Sequence, residues 1–228
     1  MAYSPDRHVV NDWLVLFELA MQMIDRAEAV MGGRIDWTIG GGTMLHQMFA
    51  HRHSKDIDIF LNDPQVLLYL TPRTNEAAER IADTGSYEES SNFIKFTTPH
   101  GEIDFIVAPH LMRPHATAQT IGSRTAMVET PGEIMAKKLL YRATQFTARD
   151  IFDLALLIER HALDDLIAHK ATYWPQLHVV LQRIATHGDR LRDAFAQIAA
   201  DQYTPSFDYC VDVIQQFVTQ HNGDDRRS

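Results

Sequence analysis

Two aspartates set two residues apart inside an apolar run constrain this chain more than any other feature. The run is Asp56-Ile57-Asp58-Ile59-Phe60. Its alternation is that of a strand, in which residues two apart share a face. Asp56 and Asp58 then project together, while Ile57 and Ile59 turn into a core. Aspartate is a poor strand former, and like charges on one face repel. A cation between the two would remove that penalty. Paired carboxylates suit Mg²⁺, which prefers hard oxygen ligands and keeps waters for substrate phosphates. The competing reading is a strand edge with two solvated acids. The flanking Ile57, Ile59 and Phe60 argue for a strand with one buried face instead.

Upstream stands Gly40-Gly41-Gly42-Thr43. Three glycines let backbone N–H groups approach a ligand closely, and a helix N-terminus after them favours anions. Together they read as a phosphate cradle with the Thr43 hydroxyl beside it. A tight strand-to-helix turn without a ligand would look the same. The turn is neither a P-loop nor a dinucleotide fingerprint, because no Gly-Lys-Ser/Thr and no G-x-G-x-x-G spacing follows. A third carboxylate is offered by Asp104, on a later alternating run, Glu102 to Val107, whose other face is apolar. If the two strands are neighbours, three carboxylates converge and two metal ions become feasible, an arrangement that serves phosphoryl transfer. Glu102 is a weaker substitute, being nearer the turn.

Asp6 to Val30 has helical spacing and stops at Gly32-Gly33. Arg34 to Ile39 is a short strand, and Thr43 to Ala50 a short helix. Pro64 to Asp83 is a helix interrupted or bent near Pro72. Ser86–Ser90 and Asn92–Thr97 form two strands about a tight turn. Leu111 to Val128 is a short strand or extended loop. Thr130-Pro131-Gly132-Glu133 is a helix start with a capping box, and Thr147 with Asp150 is another. From Leu163 to about His221 the pattern is helical, with breaks near Trp174-Pro175, His187-Gly188 and Thr204-Pro205. Gly223 to Ser228 is a polar, frayed tail. The expected class is α+β: a mixed sheet flanked by helices, followed by a helical C-terminal region. The expected division is residues 1–110, the core with its N-terminal helix, and 111–228, mainly helical and packed on it.

The quoted motifs resemble the AbiEii/AbiGii toxin nucleotidyltransferases within the polymerase-β-like superfamily. Gly41, Gly42 and Thr43, then Asp56 and Asp58, then Asp104 follow the superfamily order. His51-Arg52-His53-Ser54 before the aspartates, Pro131 to Leu139 and Arg149-Asp150-Ile151-Phe152-Asp153-Leu154 are similar to further family segments. The resemblance covers roughly residues 35 to 160. It implies a nucleotidyltransferase-type sheet, an NTP substrate and Mg²⁺, two ions being expected. Asp56, Asp58 and Asp104 would be metal ligands, with Lys138 and Asp153 beside them as catalytic residues. Gly41, Gly42, Thr43, Arg52, Ser54, Lys137 and Arg142 would bind nucleotide. Arg52 and Ser54 have a second reading, fixing their loop. Lys138 and Arg142 share a helix face that could equally be solvated and paired with Glu133. Asp150 and Asp153 share a face and would orient a lysine or the acceptor, or else Asp150 is a cap and Asp153 pairs with Arg149. The resemblance also implies a tRNA or other RNA acceptor and an antitoxin partner.

His46, His51 and His53 lack a recognised zinc spacing and have no cysteine nearby. The single cysteine, Cys210, sits in an apolar helical setting and reads as a core thiol. The formal net charge of −9 argues against a protein built to coat nucleic acid. No apolar run approaches a membrane span, and no signal peptide is evident, so a cytoplasmic location is expected. Two alternatives stand beside the toxin reading. One keeps the chemistry and takes a small-molecule hydroxyl, such as that of an antibiotic, as acceptor. The other is a nucleotide- or antitoxin-binding module without turnover.

Overall fold

The computed structural model describes residues 12–222. Helix α1 (Asp12–Met31) buries Leu16, Phe17, Ala20, Ile24 and Ala27 along one stripe. It ends at Gly32, whose φ of +70° needs glycine and whose N–H closes on Glu28 at 2.9 Å. The expected helical residues 6–11 lie outside the described residues, as does the tail 223–228. Strand β1 (Trp37–Gly40) runs straight into α2 (Gly41–Phe49), so the glycines open the helix rather than precede it. Strand β2 (Ile57–Leu61) begins just after Asp56.

The helix expected from Pro64 to Asp83 with an interruption near Pro72 is indeed broken there, into two elements. A 3-10 helix, Pro64–Tyr69, is capped by Asp63, and α3 (Glu76–Thr84) starts afresh at Asn75. Pro72 supplies no N–H to carry a helix across. The Asn75 side chain accepts from Ala77 and Ala78 and donates to the Met23 and Tyr69 carbonyls, fixing the break. Strands β3 (Ser86–Glu89), β4 (Phe93–Thr98) and β5 (Gly101–Val107) follow as expected.

Residues 111–128 hold two strands, β6 (Ala116–Ile121) and β7 (Arg124–Glu129), where the sequence suggested one short strand or a loop. Thr117, Ala118, Gln119 and Thr120 are all exposed, so β6 shows no apolar stripe, whereas β7 does alternate, with Ala126 and Val128 buried and Thr125 and Met127 exposed. Helix α4 (Pro131–Arg142) is capped by Thr130, but its capping box is only half made. The Glu133 carboxylate instead accepts from the Leu111 and Met112 N–H groups. At α5 (Ala148–Glu159) the Thr147–Asp150 box is complete. After α6 (Asp164–Ala168), helix α7 (Lys170–Phe195) passes through Pro175, against expectation, and kinks at His187. Buried Tyr173, Trp174 and Leu177 hold the helix across the lost bond. Helix α8 (Phe207–Asn222) starts after the break at Pro205.

The chain forms two compact units. The first takes the described residues up to Trp37, Lys55–Val107 and Thr120–Arg124. Its strands lie in the order β3-β4-β5-β2, with β5 and β2 parallel and the other neighbours antiparallel. Ile57, Ile59, Ile94, Phe96, Ile103 and Phe105 are buried on one sheet face, where α1 and α3 pack. Each such side chain contributes about 1.5–3 kcal/mol. The second unit takes Thr38–Ser54, Ala108–Gln119 and the chain from Thr125 on. In it β1 pairs in parallel with β7, Ile39 opposite Val128. Its core centres on α5, whose Ile151, Phe152, Leu154, Ala155 and Leu156 are buried against α4, α7 and α8. Among the described residues no helix is long and apolar enough to cross a membrane.

Candidate active site

In the first unit the register decides which side chains meet. Asp58 is paired with Asp104 on the parallel neighbour, and Lys95 on β4 is paired with Asp104 from the other side. Lys95, Asp104 and Asp58 therefore form one row across the polar face, opposite the buried isoleucines and phenylalanines. Asp56 lies one residue before the strand, and its Oδ1 accepts from the Glu102 N–H at 2.9 Å. Lys95 Nζ donates to Glu102 Oε2 at 2.9 Å and stands 3.5 Å from Asp104 Oδ2. Burial, then the charge of Asp58, pushes Asp104 up to about 7, and Lys95 offsets this only in part. Burial pulls Lys95 down, but Glu102 and Asp104 hold it above its ordinary value. The predicted trio is thus concentrated in one unit, with too little positive charge around Asp104. Sequence reasoning missed Lys95. Its signal was the alternation of Phe93 to Thr98, which puts Lys95 on the face opposite Ile94 and Phe96.

The second unit holds the glycine turn and the lysine helix. Gly41 has φ +73°, a conformation glycine adopts without strain. At Gly42 a Cβ would lie 2.7 Å from Arg52 Nη2 and 3.3 Å from Ser54 Oγ. The Thr43 hydroxyl donates to Ser54 Oγ at 3.0 Å. Glycine at 42 is therefore required by its own loop as well as suited to a ligand. Arg52 is buried, and its Nε and Nη2 clamp the two Asp153 oxygens at 2.7 and 2.8 Å. Of the two roles read for Arg52, loop fixing is the one these bonds perform.

Asp153 collects more than Arg52. His51 Nε2 meets its Oδ1 at 2.8 Å, and Lys138 Nζ donates to Oδ2 at 2.6 Å. Burial works against the carboxylate charge, but Lys138 and Arg52, helped by the His51 bond, hold Asp153 well below the usual range. Lys138 also reaches Asp150 at 3.0 Å, and half-exposed Arg142 reaches the same carboxylate at 2.5 Å. Burial opposes the charge of Asp150 too, but Lys138 and then Arg142 hold it low. Asp153 thus orients a lysine, one of its readings, and its ion pairs are with Lys138 and Arg52 rather than Arg149, with His51 as a further hydrogen-bond partner. Lys138 is not on a solvated face. His51 went unrecognised because its partner lies 102 residues away.

The C-terminal stretch braces this loop. Arg52 bridges Ala200, His53 N–H donates to Ala199, and Asp201 and Gln202 N–H groups donate to the His51 and Ala50 carbonyls. Behind it Phe195 packs edge to face on Phe207 and at a tilt on Phe152.

Lys137 faces elsewhere. Its Nζ bonds Glu129 at 2.5 Å and lies 3.3 Å from Glu133, with all three side chains buried. Thr38 donates to the same Glu129 oxygen at 2.7 Å. Burial raises Glu129 even so. His110, Glu129 and Glu133 bring ligand atoms within 4.8 Å of one another, the one such group among the described residues. The Lys137 ammonium already neutralises its carboxylates.

Residues 29–216 match the family described as Nucleotidyl transferase AbiEii toxin, Type IV TA system. No curated protein matches the chain in sequence. Similar solved structures include JHP933 from Helicobacter pylori, 12% identical, covering 94% of this chain and 95% of that one, with a TM-score of 0.49. MenT4, a nucleotidyltransferase toxin from Mycobacterium tuberculosis H37Rv, is 18% identical, covers 97% and 88%, and scores 0.46. Terminal uridylyl transferase 4 from Trypanosoma brucei, with bound CTP, is 13% identical, covers 93% and 70%, and scores 0.31.

Proposed function

The chain belongs to the AbiEii nucleotidyl transferase toxin family and is a nucleotidyltransferase, and from that premise we propose that it moves a nucleoside monophosphate from an NTP to an acceptor hydroxyl, releasing pyrophosphate. The observation that carries the reading is the in-register pair of Asp58 and Asp104, with Asp56 tied to the same strand by the Glu102 N–H. The donor set fits Mg²⁺: hard carboxylate oxygens, crowded enough that Asp104 keeps its proton to about pH 7 without a cation. Asp56, Asp58 and Asp104 would hold one or two ions. Bound magnesium would neutralise the triphosphate and lower the pKa of the acceptor hydroxyl.

The chain's own groups then position charge. Gly41 and Gly42 offer backbone N–H groups to phosphate, with Thr43 and Ser54 fixing the turn. Arg142, whose side chain is 47% exposed while it pairs with Asp150, would contact phosphate from solvent. Lys138 and Arg52 contribute through the frame that Asp153 maintains around the glycine turn. Lys137 supports the start of its helix from the Glu129 side. Such a site works by orientation and electrostatic stabilisation.

The acceptor in this reading is an RNA end, a tRNA 3′ end first, and the protein acts as a toxin held in check by an antitoxin. A second reading, favoured by the net charge of −9, takes a small-molecule hydroxyl instead. Labelled NTPs with Mg²⁺ and total RNA separate the two. Label in RNA supports the toxin reading, and label confined to small molecules supports the second. If wild type transfers no more than Asp58→Asn under either condition, turnover is overturned and a nucleotide- or antitoxin-binding module remains. Growth arrest on expression, lost in Asp58→Asn, would tie the toxicity to this site.

A further inference from the structure

We propose that Lys95 is the resident counter-ion of the acidic row, holding Asp104 in the metal-free protein and yielding it when a divalent cation binds. The inference rests on the metal reading given above. Like charges directly opposite each other across strands are destabilising, and the Asp58–Asp104 pairing is such a case. The chain places a lysine on the third strand of that row, in register with Asp104. Its ammonium is 3.5 Å from Asp104 Oδ2, a Coulombic contact longer than a good hydrogen bond. The hydrogen bond proper, 2.9 Å, is to Glu102 Oε2.

That asymmetry makes the exchange cheap. Lys95 gives up Asp104 without losing its short bond, because Glu102 keeps it. Glu102 is itself tied to the row, its N–H donating to Asp56. Glu102 and Asp104 share the one ammonium, and Asp58 stands beside Asp104 in the row. The row therefore still draws a cation, while the lysine makes it tolerable without one. Glu88 stands opposite Lys95 on β3, but the lysine's ion pairs run to Glu102 and Asp104. With a side chain 30% exposed, Lys95 competes with the cation mildly. It lowers the affinity for the ion and stabilises the protein without it.

Mn²⁺, followed by the electron paramagnetic resonance of the free ion, is the probe, and thermal unfolding in EDTA is the second readout. Lys95→Met is expected to bind Mn²⁺ roughly fivefold tighter than wild type. It should also unfold at lower temperature in EDTA, with the gap closing at saturating Mn²⁺. Lys95→Arg, which keeps the charge, should match wild type in both. Glu102→Gln should bind Mn²⁺ more weakly, and that loss should vanish in the Lys95→Met background, since it acts through the lysine. If Lys95→Met does not fold without metal, Lys95→Gln replaces it. Unchanged or weaker Mn²⁺ binding by the folded neutral variant overturns the proposal while leaving the metal reading intact. Wild type binding Mn²⁺ no better than Asp58→Asn overturns the metal reading itself, and the proposal with it.

Discussion

Asp104 and Asp153 are both sheltered carboxylates, yet their surroundings drive them in opposite directions. Asp153 is fully buried and receives Lys138, both nitrogens of the Arg52 fork and His51, and so stays ionised far into acid. Asp104 has a like charge on one side and a single distant ammonium on the other, and is pushed up to about 7. The difference teaches a division of labour. A carboxylate saturated with donors has no capacity left for a ligand and builds the frame. One that lacks them keeps the capacity for the cation that the proposed function assigns to it.

The largest expected effect tests the saturated side. Asp153→Asn leaves Arg52 and Lys138 buried without their shared counter-charge, which should cost about 3–5 kcal/mol. Urea unfolding measures it, and a loss below about 1 kcal/mol would break the comparison. On the other side, Asp104→Asn should lower nucleotidyl transfer about 10²–10³-fold while raising metal-free stability, because it removes the repulsion from Asp58. A fall in both would mean that Asp104 is structural after all.

Next in size is Gly42→Ala. Its Cβ would meet Arg52 Nη2 at 2.7 Å. That nitrogen is held by Asp153 and has little room to retreat, so the change should cost about 1–3 kcal/mol. In an Arg52→Lys background the penalty should shrink, as the fork is gone. If it does not, the turn rather than the frame sets the need for glycine.

The smallest effect is on pH dependence, where the two acids should differ in sign. Asp104 has its pKa raised, so the folded metal-free protein binds more protons than the unfolded chain between its ordinary value of 3.8 and about 7. Stability in EDTA should therefore fall as pH rises through that window. Asp153 has its pKa lowered, so its contribution is present above the ordinary carboxylate range and lost only as pH falls through acid. Mn²⁺ must displace the Asp104 proton, so its affinity should drop about tenfold per unit below about pH 7. Asp104→Asn should flatten that slope.

Much of the first unit was legible because strand alternation is local. The run Asp56 to Phe60 and the run Glu102 to Val107 declare both their buried faces and their acids. Motif order then linked Asp58 to Asp104 before any geometry was known. The glycine turn was legible as a turn, but not its tie to Arg52. Strand β6 was not legible, since the exposed Thr117 to Thr120 leave no apolar stripe to read, while the short alternation of Ala126 and Val128 in β7 was passed over. Pro175 misled for another reason: burial of Trp174 and Leu177 outweighed one lost backbone bond. Glu133 was placed correctly at the third position of its helix, yet its carboxylate went to Leu111 and Met112 rather than back to its cap.

By itself the sequence determined most of the strands, the helix starts at Thr130 and Thr147, and the strand face on which Asp58 and Asp104 lie. These follow from neighbours within a few residues, where periodicity and capping act. Only the tertiary structure decided which charges would meet. Lys138 and Lys137 are adjacent in the chain, but helical geometry points them apart, one to Asp153 and the other to Glu129. Lys95 became a partner of Asp104 only through the register of β4 on β5. Coulomb energy depends on separation and burial, and neither is written in the order of residues.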